Sequence, residues 1–303
     1  MAQEITKSYD NFINKLWAFE SDVDPAKQAW YNENWTKPVA GTYPLVSYPG
    51  RVKRDPKTGE PLESGPLTVQ QLFFAIGLKD FYDPSDPSPD WKTIQSNVIN
   101  YLGFVGFQFQ ESDLNDLGYY NFPSVAVDGV HYPSHYVDVP TSHWENGVTQ
   151  FFDTNTKEVS TPTVVTDVVC FYDEYFTGKN GVTNVLEFKN PEKHILIIKD
   201  HFDNKYANII SGLTSRGKNL SEYLNTYLTW DGLTPSVTPP PGRRTNKVEV
   251  TLSGLLAGAH LRGAEGVVSL LVDYKNSVDE NGTYILQYVQ DYAGYQTPFL
   301  NSG

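Results

Sequence analysis

Ile5-Thr-Lys-Ser-Tyr9-Asp-Asn-Phe12-Ile13-Asn-Lys-Leu16-Trp17-Ala-Phe-Glu20-Ser-Asp22 is the stretch from which the fold is read. Ile5, Tyr9, Phe12, Ile13, Leu16 and Trp17 fall at offsets of 0, 4, 7, 8, 11 and 12, one stripe of a 3.6-residue period. That spacing predicts an amphipathic helix. Asp24-Pro25 disfavours its continuation, so the helix should stop around 19–21.

Further helical signals follow. Thr68-Val-Gln-Gln71 has the form of a capping box, with Leu72, Phe73 and Ile76 behind it and Gly77 as a stop. Asp90 can cap a helix carrying Trp91, Ile94, Val98, Ile99 and Leu102, closed by Gly103. A short helix is expected over 108–117, before Gly118. Asn190-Pro191 opens a long one, striped by Ile195, Ile198, Phe202, Tyr206, Ile209 and Ile210. Leu220, Tyr223, Leu224 and Tyr227 suggest another. Segments at about 249–261, 264–274 and 283–293 close the chain. Two stretches differ in character. Residues 36–66 are rich in Pro and Gly and read as an irregular insertion. Residues 119–170 alternate Val, Tyr, Phe and Thr with polar residues and read as short strands and loops. The expected fold class is mainly α: one helical domain over 1–303 with insertions at about 36–66 and 119–170.

The 303 residues are enough for a sizeable core. The net charge is −13, which disfavours phosphate backbones and anionic lipid, so neither nucleic acid nor a membrane is expected as a partner. Purely apolar runs are only a few residues long, too short for a membrane span. A single cysteine, Cys170, excludes an internal disulfide framework and a multi-cysteine metal site. The chain holds 20 Tyr, 16 Phe and 6 Trp. Such rings fill cores, and they also make platforms for the apolar faces of sugars. No basic-then-apolar leader opens the sequence, which leaves a cytoplasmic protein, export without a cleaved signal, or a leader already trimmed; the single cysteine and acidic surface fit export, so an extracellular protein is the expectation.

Three blocks carry chemistry. Phe19-Glu20-Ser21-Asp22 places a glutamate at the end of an amphipathic helix. Half-burial there raises a carboxyl pKa, as a general acid needs; the same position also suits an exposed last-turn residue. Leu102-Gly-Phe-Val-Gly-Phe-Gln-Phe-Gln-Glu-Ser-Asp-Leu114 puts the amide of Gln108 beside two glycines. Leu255-Leu-Ala-Gly-Ala-His-Leu-Arg-Gly-Ala-Glu-Gly-Val267 reads as helix, glycine break and new helix, with His260 at a cleft.

In this order the blocks resemble the lysozyme-like superfamily, particularly goose-type lysozymes, soluble lytic transglycosylases and large insertion-bearing phage or cyanobacterial relatives. That family has a helix ending in Glu-Ser-Gly, then Gly-x-x-Gln, then Ala-Tyr-Asn-Ala-Gly. Here Asp22 replaces the glycine, one residue separates Gly106 from Gln108, and His260 stands where the family has tyrosine. The resemblance implies a glycan-cleaving enzyme, hydrolase or lytic transglycosylase, with Glu20 as general acid on a β-linked polysaccharide. It implies Asp22 or Glu111 as a second carboxylate, with Asp24 and Glu33 as further candidates. Gln108, Tyr119, Tyr120 and His260 would line the groove. No cofactor or metal is implied. The alternative is a catalytically silent glycan-binding or structural module of a phage particle or secreted assembly. Bacterial walls are anionic, so the charge favours a neutral or cationic polysaccharide.

Weaker signals are read as structural first. His131, His135 and His143 have spacings open to zinc but no helical framework to aim them. The Asp83–Asp90 loop lacks the glycine and final glutamate of a calcium-binding EF-hand. Cys170 reads as a buried small hydrophobe. Arg243 and Arg244 read as surface charge, and Arg51, Lys53, Arg54 and Lys57 as a cluster that could contact an anionic polymer.

Overall fold

The computed structural model describes residues 7–300, apart from 42, 45, 49–50, 56–57, 59–61, 101–102, 122–123, 128–129, 134–138, 146–147, 154–157, 161–164, 167–170, 241–244 and 280–281. Ile5, Lys57, Leu102, His135, Cys170, Arg243 and Arg244 lie outside the described residues, as do the side chains of Arg51, Lys53, Arg54, His131 and His143.

The chain is mainly helical. α1 (Tyr9–Glu20), α2 (Gln28–Glu33), α3 (Val69–Ala75), α4 (Trp91–Asn97) and α5 (Glu111–Asp116) precede the main strand-bearing stretch. α6 (Val185–Phe188), α7 (Pro191–Ser215), α8 (Leu252–Val272) and α9 (Ile285–Asp291) follow it. Two compact units emerge, residues 17–197 and residues 1–16 with 198–303.

Many helix starts are where local chemistry puts them. Thr68 and Gln71 form the reciprocal capping box of α3. The Asp90 carboxylate accepts the Thr93 N–H at 3.2 Å to cap α4. Asn190 Oδ1 accepts the amides of Glu192 and Lys193 ahead of Pro191. Other expectations fail for definable reasons. α4 stops at Asn97, because Val98 turns extended (ψ 132°) and Ile99 pairs with Val105. α5 starts only at Glu111, since Gln108 is held in a left-handed conformation at φ 62°. The stripe at 220–227 is no helix. Leu220–Glu222 makes one 3-10 turn, Asn225 is left-handed at φ 62°, and Asn225 N–H donates to Val250 O at 2.9 Å.

In the 17–197 unit, the 36–66 stretch holds β1 (Tyr43–Pro44), β2 (Val46–Tyr48), β3 (Arg51–Arg54) and β4 (Glu63–Ser64). The 119–170 stretch holds β5 (Ser124–Val127), β6 (Val130–Pro133), β7 (Val139–Glu145), β8 (Val148–Asp153), β9 (Glu158–Ser160) and β10 (Val165–Thr166), as its alternation predicts. All pairings are antiparallel: β1 with β4, β5 with β6, and β7-β8-β9. β3 pairs with both β2 and β10, so the two insertions share a three-stranded sheet. This unit also owns an aromatic cluster, with Tyr31, Phe73 and Tyr82 buried and Trp35 and Trp91 against them. Its rings meet mostly edge to face, as Tyr31 and Phe73 do at 5.1 Å, the arrangement that aromatic quadrupoles favour.

The other unit is built on α8 and α9, with β11 (Tyr227–Thr229) paired to β12 (Lys247–Glu249). α8 is long and apolar enough to cross a membrane by length and composition. It is, however, broken at Arg262 and Gly263 (φ 71°, ψ 167°), where the sequence splits it into two shorter segments. Leu255, Leu256, Ala257 and Ala259 before the break are fully buried, as are Val267 and Val268 after it. This is how a core helix packs. Gly254 sets the spacing of α8 against α9, because a Cβ there would lie 2.5 Å from Val289 O. Gly254→Ala should therefore destabilise the protein by roughly 2 kcal/mol through overpacking against a backbone that cannot swing away. Urea denaturation of the variant, with far-UV circular dichroism as the signal, checks this.

Candidate active site

α1 delivers Glu20 and then ends abruptly. Ser21 Oγ donates back to Trp17 O at 2.7 Å, Asp22 turns left-handed (φ 56°), and the Asp24 carboxylate caps the next turn through Ala26 N–H at 2.9 Å. Glu20 is 8% exposed. Asp22 is open to solvent. Crowding by the surrounding protein raises the Asp22 carboxyl above its usual range, with Lys27 opposing.

Gln108 reaches the same turn from 88 residues away in sequence. Val105 and Phe109 exchange backbone hydrogen bonds at 3.0 Å around a tight loop. The loop carries two left-handed residues, Gly106 and Gln108. At its tip Gln108 Nε2 donates to Glu20 O at 2.6 Å, while Asn100 Nδ2 donates to Gln108 Oε1. Both ends of the amide are thus engaged within the protein. Gln108 fixes the backbone that carries Glu20, where a sugar-gripping role was expected of it.

Beneath the loop lies His194, a residue the sequence does not single out. Its imidazole is fully buried and stacks on Phe107 (5.4 Å, 14°) and Trp17 (5.6 Å, 24°). Nδ1 lies 3.1 Å from Phe188 O, and Phe107 N–H donates to Nε2 at 3.4 Å. The two bonds together require the neutral tautomer with its proton on Nδ1. Burial lowers the His194 pKa to about 4, and Lys189 acts in the same direction. Gly106 cannot carry a side chain, since a Cβ would come within 2.1 Å of His194 Nε2. The one sequence signal for His194 is its place on the buried face of α7, one turn before Ile197 and Ile198.

The remaining expected site residues fall elsewhere. Glu111 is 1% exposed, in the first turn of α5, where the helix dipole favours an acid. Its Oε1 accepts the Tyr120 hydroxyl proton at 3.2 Å, and Tyr120 in turn accepts Tyr172 N–H at 3.0 Å. Burial, then the Glu111 charge, pushes the Tyr120 hydroxyl up. Tyr119 is 0% and Tyr120 1% exposed. Tyr119 accepts a hydrogen bond from Asn180 Nδ2 at 2.7 Å. Both tyrosines are therefore core and not groove lining: Tyr119 bonds to Asn180, while Tyr120 pairs with the Phe176 backbone and meets its ring edge-on at 5.0 Å. Glu111 is likewise enclosed and holds no open position for a second carboxylate. His260 belongs to the other unit, half-buried on α8, with Nδ1 3.2 Å from His201 Nε2. Among the described residues, no three His, Cys, Asp or Glu side chains are grouped to hold a metal ion.

Comparison with family models, curated proteins and solved structures finds no match. The local geometry therefore carries the functional argument.

His194 gives that geometry a pH signature. The unfolded chain takes up a proton on this residue near pH 6.5 and the folded chain near 4. Between those values the unfolded state binds more protons, so stability rises with pH; the contribution is complete above about 6.5 and is lost as pH falls towards 4. The full span is worth about 3 kcal/mol. Urea midpoints at pH 7 and 4.5 should differ less in His194→Gln than in the wild type, with the variant weaker at pH 7. An equal pH difference in the two proteins contradicts a neutral, buried His194.

Proposed function

We propose that this protein is a glycan-cleaving enzyme acting on a β-linked polysaccharide, with Glu20 as its general acid. One observation carries the reading. The helix-end Glu20-Ser21 and the distant Gly106-Phe107-Gln108, two of the three motifs of the lysozyme-like resemblance, meet through the Gln108–Glu20 hydrogen bond. A glutamate 8% exposed at a rigid helix end, beside an open aspartate, suits proton transfer to a glycosidic oxygen.

In this reading Glu20 protonates the leaving oxygen and afterwards accepts a proton from the attacking hydroxyl. The attacker is either water or the sugar's own hydroxyl. With Glu111 enclosed, Asp22 is the nearest carboxylate in sequence able to assist a water, being exposed two residues on. The net charge of −13 favours a neutral or cationic polymer over an anionic wall. The second reading, a catalytically silent glycan-binding or structural module, draws support from the burial of Glu111, Tyr119 and Tyr120, which removes one expected second carboxylate and two expected groove residues.

Mass spectrometry of products separates the two. Wild type and Glu20→Gln are incubated with peptidoglycan, chitin, chitosan and neutral and acidic polysaccharides. New oligosaccharides from the wild type are expected, reduced by at least about a hundredfold in Glu20→Gln. Product masses show whether water was added or an anhydro sugar formed. Equal products from both proteins remove Glu20 from the chemistry. Binding to one polymer with no cleavage of any favours the module.

A further inference from the structure

Lys189 stands between the end of α6 and the Asn190 cap of α7, and it is half-buried. The carboxylates around it are already engaged. Glu187 pairs with Lys193, whose amine also donates to Gly181 O at 2.6 Å. Asp173 accepts Val185 N–H at 2.8 Å, and Glu192 is exposed on the first turn of α7. Two lysines thus meet one available carboxylate, and Lys193 takes it. Among the described residues, Lys189 makes no hydrogen bond and no ion pair through its amine. On its inner side are apolar or neutral groups: Phe188 is fully buried, and the Lys189 charge acts on the buried His194 imidazole.

We propose that Lys189 is an acyl-acceptor site, the amine of this chain that small acyl thioesters modify first. A half-buried cation without a counter-charge is destabilised relative to its neutral form, and the neutral amine is the nucleophile. Burial accordingly lowers the Lys189 amine to about 8. At pH 7.5 about a quarter of such amines are neutral, against roughly one in a thousand at the ordinary lysine value. In the reaction the amine nitrogen attacks the thioester carbonyl carbon. The C–N bond forms, the C–S bond breaks, and the amine's proton leaves with the sulfur as a thiol. The product is an uncharged amide, so acylation removes a charge that the fold does not balance.

Other lysines are held differently. Lys37, Lys193, Lys199 and Lys218 each face a carboxylate, and Lys179 donates to Leu117 O at 2.9 Å. Lys79 and Lys92 are exposed to water. Acylation of Lys189 would also take away the positive charge that acts on His194, the residue beneath the Val105–Phe109 loop. The site does not depend on the Glu20 reading.

The test is competitive labelling of the folded protein with limiting S-acetyl-N-acetylcysteamine, a small uncharged thioester, at pH 7.5. Peptide mapping by mass spectrometry gives the initial rate at each lysine. Lys189 should be acetylated at least about tenfold faster than Lys79 and Lys92, since the lower nucleophilicity of a weaker base offsets only part of the gain in neutral amine. That excess should vanish in urea-unfolded protein. The methionine variant Lys189→Met keeps an unbranched apolar stem and removes the charge, so its thermal midpoint at pH 7 should rise. A Lys189 rate no greater than that of Lys92, or an excess that persists in urea, overturns the site. An unmoved or lower midpoint in Lys189→Met shows that the charge was balanced and overturns it as well.

Discussion

The 17–197 unit depends on an uncharged imidazole between two backbone groups. His194 reaches Phe188 O with one nitrogen and accepts Phe107 N–H with the other, so it pins the Val105–Phe109 loop to α7. Its ring stacks on Phe107 and on Trp17, and Trp17 lies one turn before Glu20. Gln108 then ties the loop tip to the Glu20 carbonyl. A charged imidazole could not accept the Phe107 bond, and a smaller residue would leave a gap below Gly106. The orientation of the helix end that presents Glu20 thus rests on a residue with no part in the proposed chemistry.

This explains why the site was only partly legible in the sequence. Glu20 and Gln108 stand in short motifs whose local chemistry shows without a structure. The Thr68 and Asp90 caps and the Asn190-Pro191 start were legible for the same reason: each is decided by neighbours within a few residues. Long-range packing decided the rest. Leu220, Tyr223, Leu224 and Tyr227 have helical spacing, yet the pairing of Tyr227–Thr229 with Lys247–Glu249 outweighs it. Tyr119 and Tyr120 read as groove residues because a tyrosine carries a polar tip. Their hydroxyls find partners inside the protein, and that lets the rings be buried. The apolar stripe of α7 runs through Ile195, Ile198, Phe202, Tyr206, Ile209 and Ile210 in the sequence, whereas the buried face of the helix also includes His194 and His201.

The aromatic abundance is resolved in a similar way. Tyr31 donates ring surface to Phe73, Tyr82 and Trp91 while its hydroxyl accepts Asp24 N–H at 2.9 Å. One side chain therefore joins the aromatic cluster to the turn that follows Glu20. Much of the composition that suggested sugar platforms is used in this way, as core with polar anchors. Trp30, at the rim of this cluster, keeps an exposed ring held edge-on by Tyr31.

The pairing of β3 with β10 has a consequence for how the chain comes together. Its partners, Val165 with Arg54 and Thr166 with Lys53, are separated by more than a hundred residues of sequence. Bringing such distant segments together costs loop-closure entropy that only already folded intervening structure can reduce. α3, α4 and α5 lie within that loop, and their folding shortens the span that the sheet has to close. Until the sheet closes, each insertion presents an unpaired strand edge, open to strands of other chains. Pairing of such edges between nascent chains is the misassembly to which this topology is exposed.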